Sequence, residues 1–330
     1  MPDVTVAVLD TFHPHIRAAI EAAVPANWAV RFTAENTLTA RAAALRDADI
    51  AFVMAAAMPK ELLGEARRLR FIQKLGAGVD RIDLDVCRKQ GIGVARLHAG
   101  NSIPVAEHTI LLMLAIYRQL PQIDCRTRAG IWSKEDARGM HRQLQYKTVG
   151  LVGFGAIGKE VAKRLRGFEV TILYYDPVRA SLDVEQSLDA KYVDLDELVR
   201  AADIVSLHLP LIPQTAGIIN AEQIHAMKSG AVLINCARGG LVDETALAVA
   251  LKDGHLFGAG IDVFSSEPPV GSPLLELENT VVTSHLAGAT LDNFSGIVAR
   301  AVENAKAVLR GDALPETDLV LAPDRKVPVE

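Results

Sequence analysis

Three short stretches late in the chain gather residue types that can hold a carboxylate and move a proton. Arg238 lies in Ile234-Asn235-Cys236-Ala237-Arg238-Gly239-Gly240. The carboxylates Asp262 and Glu267 lie in Asp262-Val263-Phe264-Ser265-Ser266-Glu267-Pro268-Pro269, and His285 in Thr283-Ser284-His285-Leu286-Ala287-Gly288-Ala289-Thr290. Each stretch follows a β-rich apolar run, so each side chain sits just past a strand. Arginine offers a planar fork to a substrate carboxylate. Histidine gives or takes the proton of a hydroxyl, and a nearby carboxylate orients the imidazole. Singly, Arg238 reads as a surface ion pair and His285 as a satisfied strand-end histidine. Together they suit reversible hydride transfer on a hydroxy acid, if a hydride carrier binds beside them.

A site for that carrier lies upstream. Val149-Gly150-Leu151-Val152 reads as a buried strand and leads into Gly153-Phe154-Gly155-Ala156-Ile157-Gly158, a GxGxxG turn that opens a helix. A second strand follows and ends in Tyr174-Tyr175-Asp176, with Asp176 18 residues beyond Gly158, near the ~20 of a dinucleotide fingerprint. Gly153 permits the tight turn, Gly155 lets the backbone approach a pyrophosphate, and Gly158 lets helix and strand pack closely. The N–H groups of Ala156, Ile157 and Gly158 open the helix toward phosphate. Asp176 suits the free 2′-hydroxyl of NAD and opposes the 2′-phosphate of NADP. Arg179 is the nearby cation that works the other way.

The elements that hold these residues alternate. Strands are expected at 4–9 and near 28–32, 50–54, 71–74 and 92–95, with helical segments between them. A second series follows near 148–152, 169–175, 203–208, 231–236, 256–261 and 280–284. Alternation of this kind predicts right-handed βαβ units and parallel sheets. Asn101-Ser102 with Pro104 opens a long apolar helix, expected over Ile103–Leu120. Residues 127–147 read as irregular. A last helix over roughly 291–310 has no strand partners left in its own series, and one simple arrangement sends it back to the first. The tail from Pro315 is expected to lie extended on the surface.

Composition excludes several classes. Half of the 330 residues are apolar, and the net charge is −5, so neither a disordered chain nor a basic nucleic-acid surface is expected. Arg67, Arg68, Arg70 and Lys74 read as a solvated face. Cys87, Cys125 and Cys236 have no CxxC spacing, which argues against disulfides and zinc and fits a reducing, cytoplasmic setting. No histidine pair has metal-ligand spacing, so no metal is expected. No signal peptide or membrane span is expected, the apolar run 110–117 being far short of the ~20 residues a span requires.

The sequence resembles the D-isomer-specific 2-hydroxyacid dehydrogenases, the family that includes D-3-phosphoglycerate dehydrogenase and glyoxylate/hydroxypyruvate reductase. The resemblance rests on Lys74-Leu75-Gly76-Ala77-Gly78-Val79-Asp80, Val105-Ala106-Glu107-His108 and His285-Leu286-Ala287-Gly288-Ala289-Thr290, and covers most of the chain beyond residue 70. It implies an α/β fold of two doubly wound parallel-sheet domains. A Rossmann NAD domain, 101–285, is inserted into a flavodoxin-like substrate domain of 1–100 and 286–330, with the active site in the cleft. It implies Arg238, Glu267 and His285 as catalytic residues, and Gly76, Ala77 and Gly78, with Arg238 and His285, on the substrate.

The resemblance also places Asp262 on the nicotinamide carboxamide and His208, Pro210 and Thr215 under the adenine and phosphates. Cys236, Ala237, Arg238, His285 and Gly288 join the cofactor contacts, and Asn101 and Glu107 look like interdomain positions. NAD(H) is expected over NADP(H), with a small 2-keto or D-2-hydroxy acid as substrate. No C-terminal regulatory domain is expected. A homodimer is expected through the long helix and Arg128-Ala129-Gly130-Ile131-Trp132, with Trp132 reaching a partner active site or packing within its own chain. Formate dehydrogenase resembles this architecture but carries glutamine where Glu267 stands. Phosphite dehydrogenase shares the Arg-Glu-His set, and NAD-sensing co-repressors use the fold as a dimeric binding module.

Overall fold

The computed structural model describes residues 3–324, which divide into two compact units. The N-terminal unit takes the chain up to Asn101 together with the stretch from Thr290 onward, and the central unit is Ser102–Ala289. The strands in chain order are β1 (Val4–Val8), β2 (Trp28–Phe32), β3 (Ile50–Val53), β4 (Phe71–Lys74), β5 (Gly93–Ala95), β6 (Thr148–Val152) and β7 (Thr171–Tyr175). After them come β8 (Ala190–Tyr192), β9 (Ile204–Leu207), β10 (Ala231–Asn235), β11 (Leu256–Ile261), β12 (Thr280–Val282) and β13 (Leu319–Leu321). Runs such as Ile50-Ala51-Phe52-Val53 and Ala231–Asn235 are buried along their whole length, as parallel strands covered on both faces must be.

The central sheet is ordered β8-β7-β6-β9-β10-β11-β12 and is parallel throughout. Its winding reverses between β6 and β9, so the carboxyl ends of those strands flank the crevice where ligands of such sheets bind. The apolar helix Ser102–Tyr117 packs against this sheet and against the helix Ala156–Leu165.

The N-terminal sheet runs β2-β1-β3-β4-β5 in parallel, with β13 added antiparallel at the edge of β5. Its reversal lies between β1 and β3. The helix Leu291–Arg310 buries Phe294, Ile297, Val298, Ala301, Val302, Ala305 and Val308. That is one stripe at helical spacing, laid on β4 and on the helix Pro14–Ala23. Both units are doubly wound, as the alternating pattern predicts.

Several local expectations need correction. The tail is not merely extended on the surface. Leu319–Leu321 forms β13, and Asp318 is fully buried, bonded by Arg300 at 2.9 and 2.6 Å and by the His98 N–H at 3.0 Å. Residues 325–330 of that tail lie outside the described residues. The long helix stops at Tyr117, and a second helix, Leu120–Arg128, follows a left-handed Gln119. Residues 127–147, read as irregular, include the short helix Lys134–Arg138. Strand β8 has no counterpart among the expected strands. Arg68 and Arg70 are not simply solvated, because both bond the buried Asp49. Among the described residues no helix is long and apolar enough to cross a membrane, and no cluster of His, Cys, Asp and Glu could hold a metal.

Candidate active site

The glycine turn is built by close approach. Gly153 has φ +104°, and a Cβ there would stand 2.7 Å from the backbone of His208. A Cβ on Gly158 would meet the Gly153 carbonyl at 2.3 Å, which seats the helix against the turn. Gly155 differs, since a Cβ there would meet nothing within 4 Å. The turn therefore faces open space at the residue beside the helix start, where the first N–H groups have no partner inside the helix. The Asp176 carboxylate accepts from the N–H of Phe154 at 2.8 Å and of Val178 at 2.9 Å, tying the end of β7 to this turn.

Arg179 points its guanidinium at Glu185, with two bonds of 2.8 and 2.9 Å, and the Tyr174 hydroxyl donates to the same carboxylate at 2.6 Å. Those donors hold the Glu185 carboxyl down to about 2. Across the reversal, His208 bonds Ser206 at 3.0 Å, while its buried Nδ1 has no partner among the described residues. Burial pushes its imidazole down to about 3, so it stays neutral at ordinary pH. An open glycine cradle and an orphaned ring nitrogen at the reversal of the sheet fit a bound dinucleotide. In the loop beyond, Pro210 is exposed, and Thr215 is nearly buried with its hydroxyl spent on the Pro210 carbonyl at 2.6 Å.

The three polar strand ends come together in the central unit. The His285 Nδ1 lies 2.9 Å from Glu267 Oε1, with the imidazole side chain 45% exposed. Its other nitrogen is therefore available for chemistry. His285 takes a left-handed conformation, φ +53°, uncommon for a residue with a Cβ. Its N–H donates to the Asp262 carbonyl at 2.7 Å. The fully buried Asp262 carboxylate accepts from the Leu286 N–H at 2.9 Å, the Ala287 N–H at 3.0 Å and the Thr283 hydroxyl at 2.5 Å. This carboxylate is the anchor of the His285 loop. Gly288 follows, half-buried.

Arg238 follows β10 and is half-buried. Gly239 brings its turn against the next loop, because a Cβ there would overlap the Phe264 backbone at 1.9 Å. Ala237 beside it is buried, and the Cys236 thiol is pushed up to about 12 by burial, so it stays protonated. Three supports had no clear sequence signal. Asn235, buried at the end of β10, accepts from the Ala237 N–H at 3.0 Å and donates to the Arg238 carbonyl at 2.8 Å. Glu244 accepts from the N–H and hydroxyl of Ser265, at 2.6 and 2.8 Å, at the start of the Glu267 loop. His108 reaches Thr283 at 3.1 Å, behind Asp262. Only their position after strands or at a helix start could have flagged the first two. Glu107 bonds Arg164 at 3.4 Å within the central unit.

A family model described as the NAD binding domain of D-isomer specific 2-hydroxyacid dehydrogenases matches residues 110–287. The chain belongs to this family. Within it, the chain is 37% identical over 311 residues to D-3-phosphoglycerate dehydrogenase of Methanocaldococcus jannaschii, covering 94% of this chain and 58% of that protein. It is 37% identical to glyoxylate reductase of Thermococcus litoralis, covering 78% of each. The chain spans about half the length of the D-3-phosphoglycerate dehydrogenases it matches. Among solved structures, formate dehydrogenase of Staphylococcus aureus in complex with NAD aligns with a TM-score of 0.85 at 27% identity, over 97% of this chain and 99% of that one.

Proposed function

We propose that this chain is an NAD-dependent dehydrogenase interconverting a 2-keto acid and a D-2-hydroxy acid. The observation that carries the reading is the 2.9 Å contact of His285 with Glu267, beside Arg238 and downstream of an open glycine turn. Bound NAD(H) supplies hydride exchange at C2 of the acid. Arg238 takes the substrate carboxylate with its fork. The outward nitrogen of His285 protonates the carbonyl oxygen in reduction and accepts the proton in oxidation. Glu267 accepts from Nδ1–H and so keeps the other nitrogen facing the substrate. A formate-oxidising reading leaves this pair without a proton to move.

Gly153, Gly155, Ala156, Ile157 and Gly158 are proposed to hold the pyrophosphate and Asp176 the ribose. His208, Pro210 and Thr215 line the adenine side, and Cys236, Ala237, Asp262 and Gly288 the nicotinamide side. NAD(H) is favoured over NADP(H), because Asp176 repels a 2′-phosphate and Arg179 is held by Glu185. In the N-terminal unit, Gly76, Ala77 and Gly78 are the proposed donors to the substrate. A homodimer fits the apolar helix Ser102–Tyr117 and Trp132, which is 80% exposed and so is not core of its own chain. A reducing, cytoplasmic setting fits three cysteines that are all free. The test is steady-state oxidation of NADH and of NADPH with a panel of 2-keto acids. No turnover of any acid with either cofactor overturns the reading.

A further inference from the structure

Two runs of successive backbone N–H groups leave adjacent strands of the N-terminal sheet, and they differ in one respect. After β3, the N–H groups of Met54, Ala55 and Ala56 all converge on the Asp10 carboxylate, at 2.5, 2.7 and 2.8 Å. Asp10 leaves the end of β1, the other side of the sheet's reversal, and is 9% exposed. Convergent N–H groups at such a place form an anion-binding concavity. Here the anion is the protein's own. After β4, the N–H groups of Gly76, Ala77 and Gly78 meet no acceptor among the described residues. This second run is open.

The nearby cations follow the same division. Lys74 donates to the Met54 carbonyl, and its ammonium stands 3.5 Å from where a Cβ on Gly76 would lie. Arg81 donates to the Ala55 carbonyl at 3.2 Å. Both therefore bind the loop that Asp10 already fills, and Lys74 also borders the open run. At the β3 loop an incoming anion would meet a carboxylate that already takes three N–H groups, two cation-bound carbonyls and the partly exposed residues Met54, Ala55 and Ala57.

We propose that this edge of the N-terminal unit accepts one anionic group, at Gly76–Gly78, and that Asp10 excludes a second, so the substrate is a 2-keto acid with no phosphate or second carboxylate. This rests on the dehydrogenase reading above and narrows its substrate class. Charge exclusion of this kind works by repulsion.

The experiment compares monoanionic acids (glyoxylate, pyruvate, hydroxypyruvate) with dianionic or trianionic ones (3-phosphohydroxypyruvate, oxaloacetate) on the full chain with NADH. The expected result is a kcat/KM at least about 100-fold lower for the multiply charged acids, and Asp10→Asn should narrow that gap about tenfold. Binding of the corresponding hydroxy acids, followed by protection against thermal unfolding, provides a readout independent of turnover and of the variant's folding. Multiply charged acids used or bound within threefold of the monoanions overturn the inference and leave the dehydrogenase reading standing. Monoanions that bind selectively without turnover support the inference and overturn that reading. If neither class binds or turns over, both fall.

Discussion

The loops that bring His285 and Glu267 together are held in opposite ways. The His285 loop hangs on Asp262, a carboxylate with no exposure that takes two backbone N–H groups and a hydroxyl. The Glu267 loop is held at its start by Glu244, whose bonds to Ser265 lie at the exposed surface. A buried carboxylate with every bond made is expensive to disturb, because a lost partner leaves a charge or a donor unsatisfied in a dry place. An exposed contact can be replaced by water. The difference teaches that the His285 loop is anchored from the interior and the start of the Glu267 loop from the surface.

That contrast predicts a ranking of losses. His285→Ala sets the ceiling, with kcat expected to fall about 10²–10⁴-fold, the usual worth of a positioned acid, while NADH binding measured by fluorescence stays near wild type. Retention of wild-type turnover would remove His285 from the mechanism. Reduction of the keto acid also consumes a proton and oxidation of the hydroxy acid releases one, so rising pH should depress the first and promote the second. A pH profile of both directions checks this.

Asp262→Asn comes next. The amide places a donor against Thr283 or the loop N–H groups and should loosen the His285 loop, costing about 10²-fold in kcat, the scale of a small misplacement. Because Asp262 anchors the His285 loop, the pH profile should keep its direction while kcat falls. Glu244→Gln keeps an acceptor for Ser265 at the surface and should cost only a few-fold. If the two variants lost equal activity, the contrast between the two loops would not hold.

The smallest effect concerns Glu185. Glu185→Gln frees Arg179 and should raise kcat/KM for NADPH about tenfold, with NADH little changed. A ratio of the two cofactors unmoved by the substitution counts against the role given to Arg179. The same pair predicts a stability signature. The Arg179 and Tyr174 donors hold the folded carboxyl at about 2 against an ordinary 4.5, so the unfolded chain binds the extra proton between those values. Its contribution is whole above 4.5 and is lost as pH falls toward about 2. The Tm difference between wild type and Glu185→Gln should therefore be constant above pH 5 and shrink below 4.5.

Much of the site was legible because its chemistry is local. Gly153, Gly155 and Gly158 carry a spacing, and Arg238, Glu267 and His285 each stand just after an apolar run. The supports were not, because their partners are distant in sequence. Asp10 finds its three donors 44 to 46 residues later, and Glu244 meets Ser265 21 residues on. The missed strands have the same cause. Ala190–Tyr192 and Leu319–Leu321 are three residues each, too short for an alternating pattern, and pairing with β7 and β5 creates them. The bonds of Asp262 to Thr283, Leu286 and Ala287 were hidden for the same reason, lying 21 to 25 residues on.

The helix Leu291–Arg310 has a consequence for how the chain is made. Gln73 is fully buried and bonds Asn304, 231 residues further on. At about 5–20 residues per second, a ribosome takes roughly 10–50 s to cover that separation. During that interval β1 to β5 are already outside with one face uncovered, while the continuous stretch Ser102–Ala289 can complete itself. The segment synthesised first is the one that finishes folding last, and a rearranged gene joining 290–324 directly to 3–101 would abolish the wait.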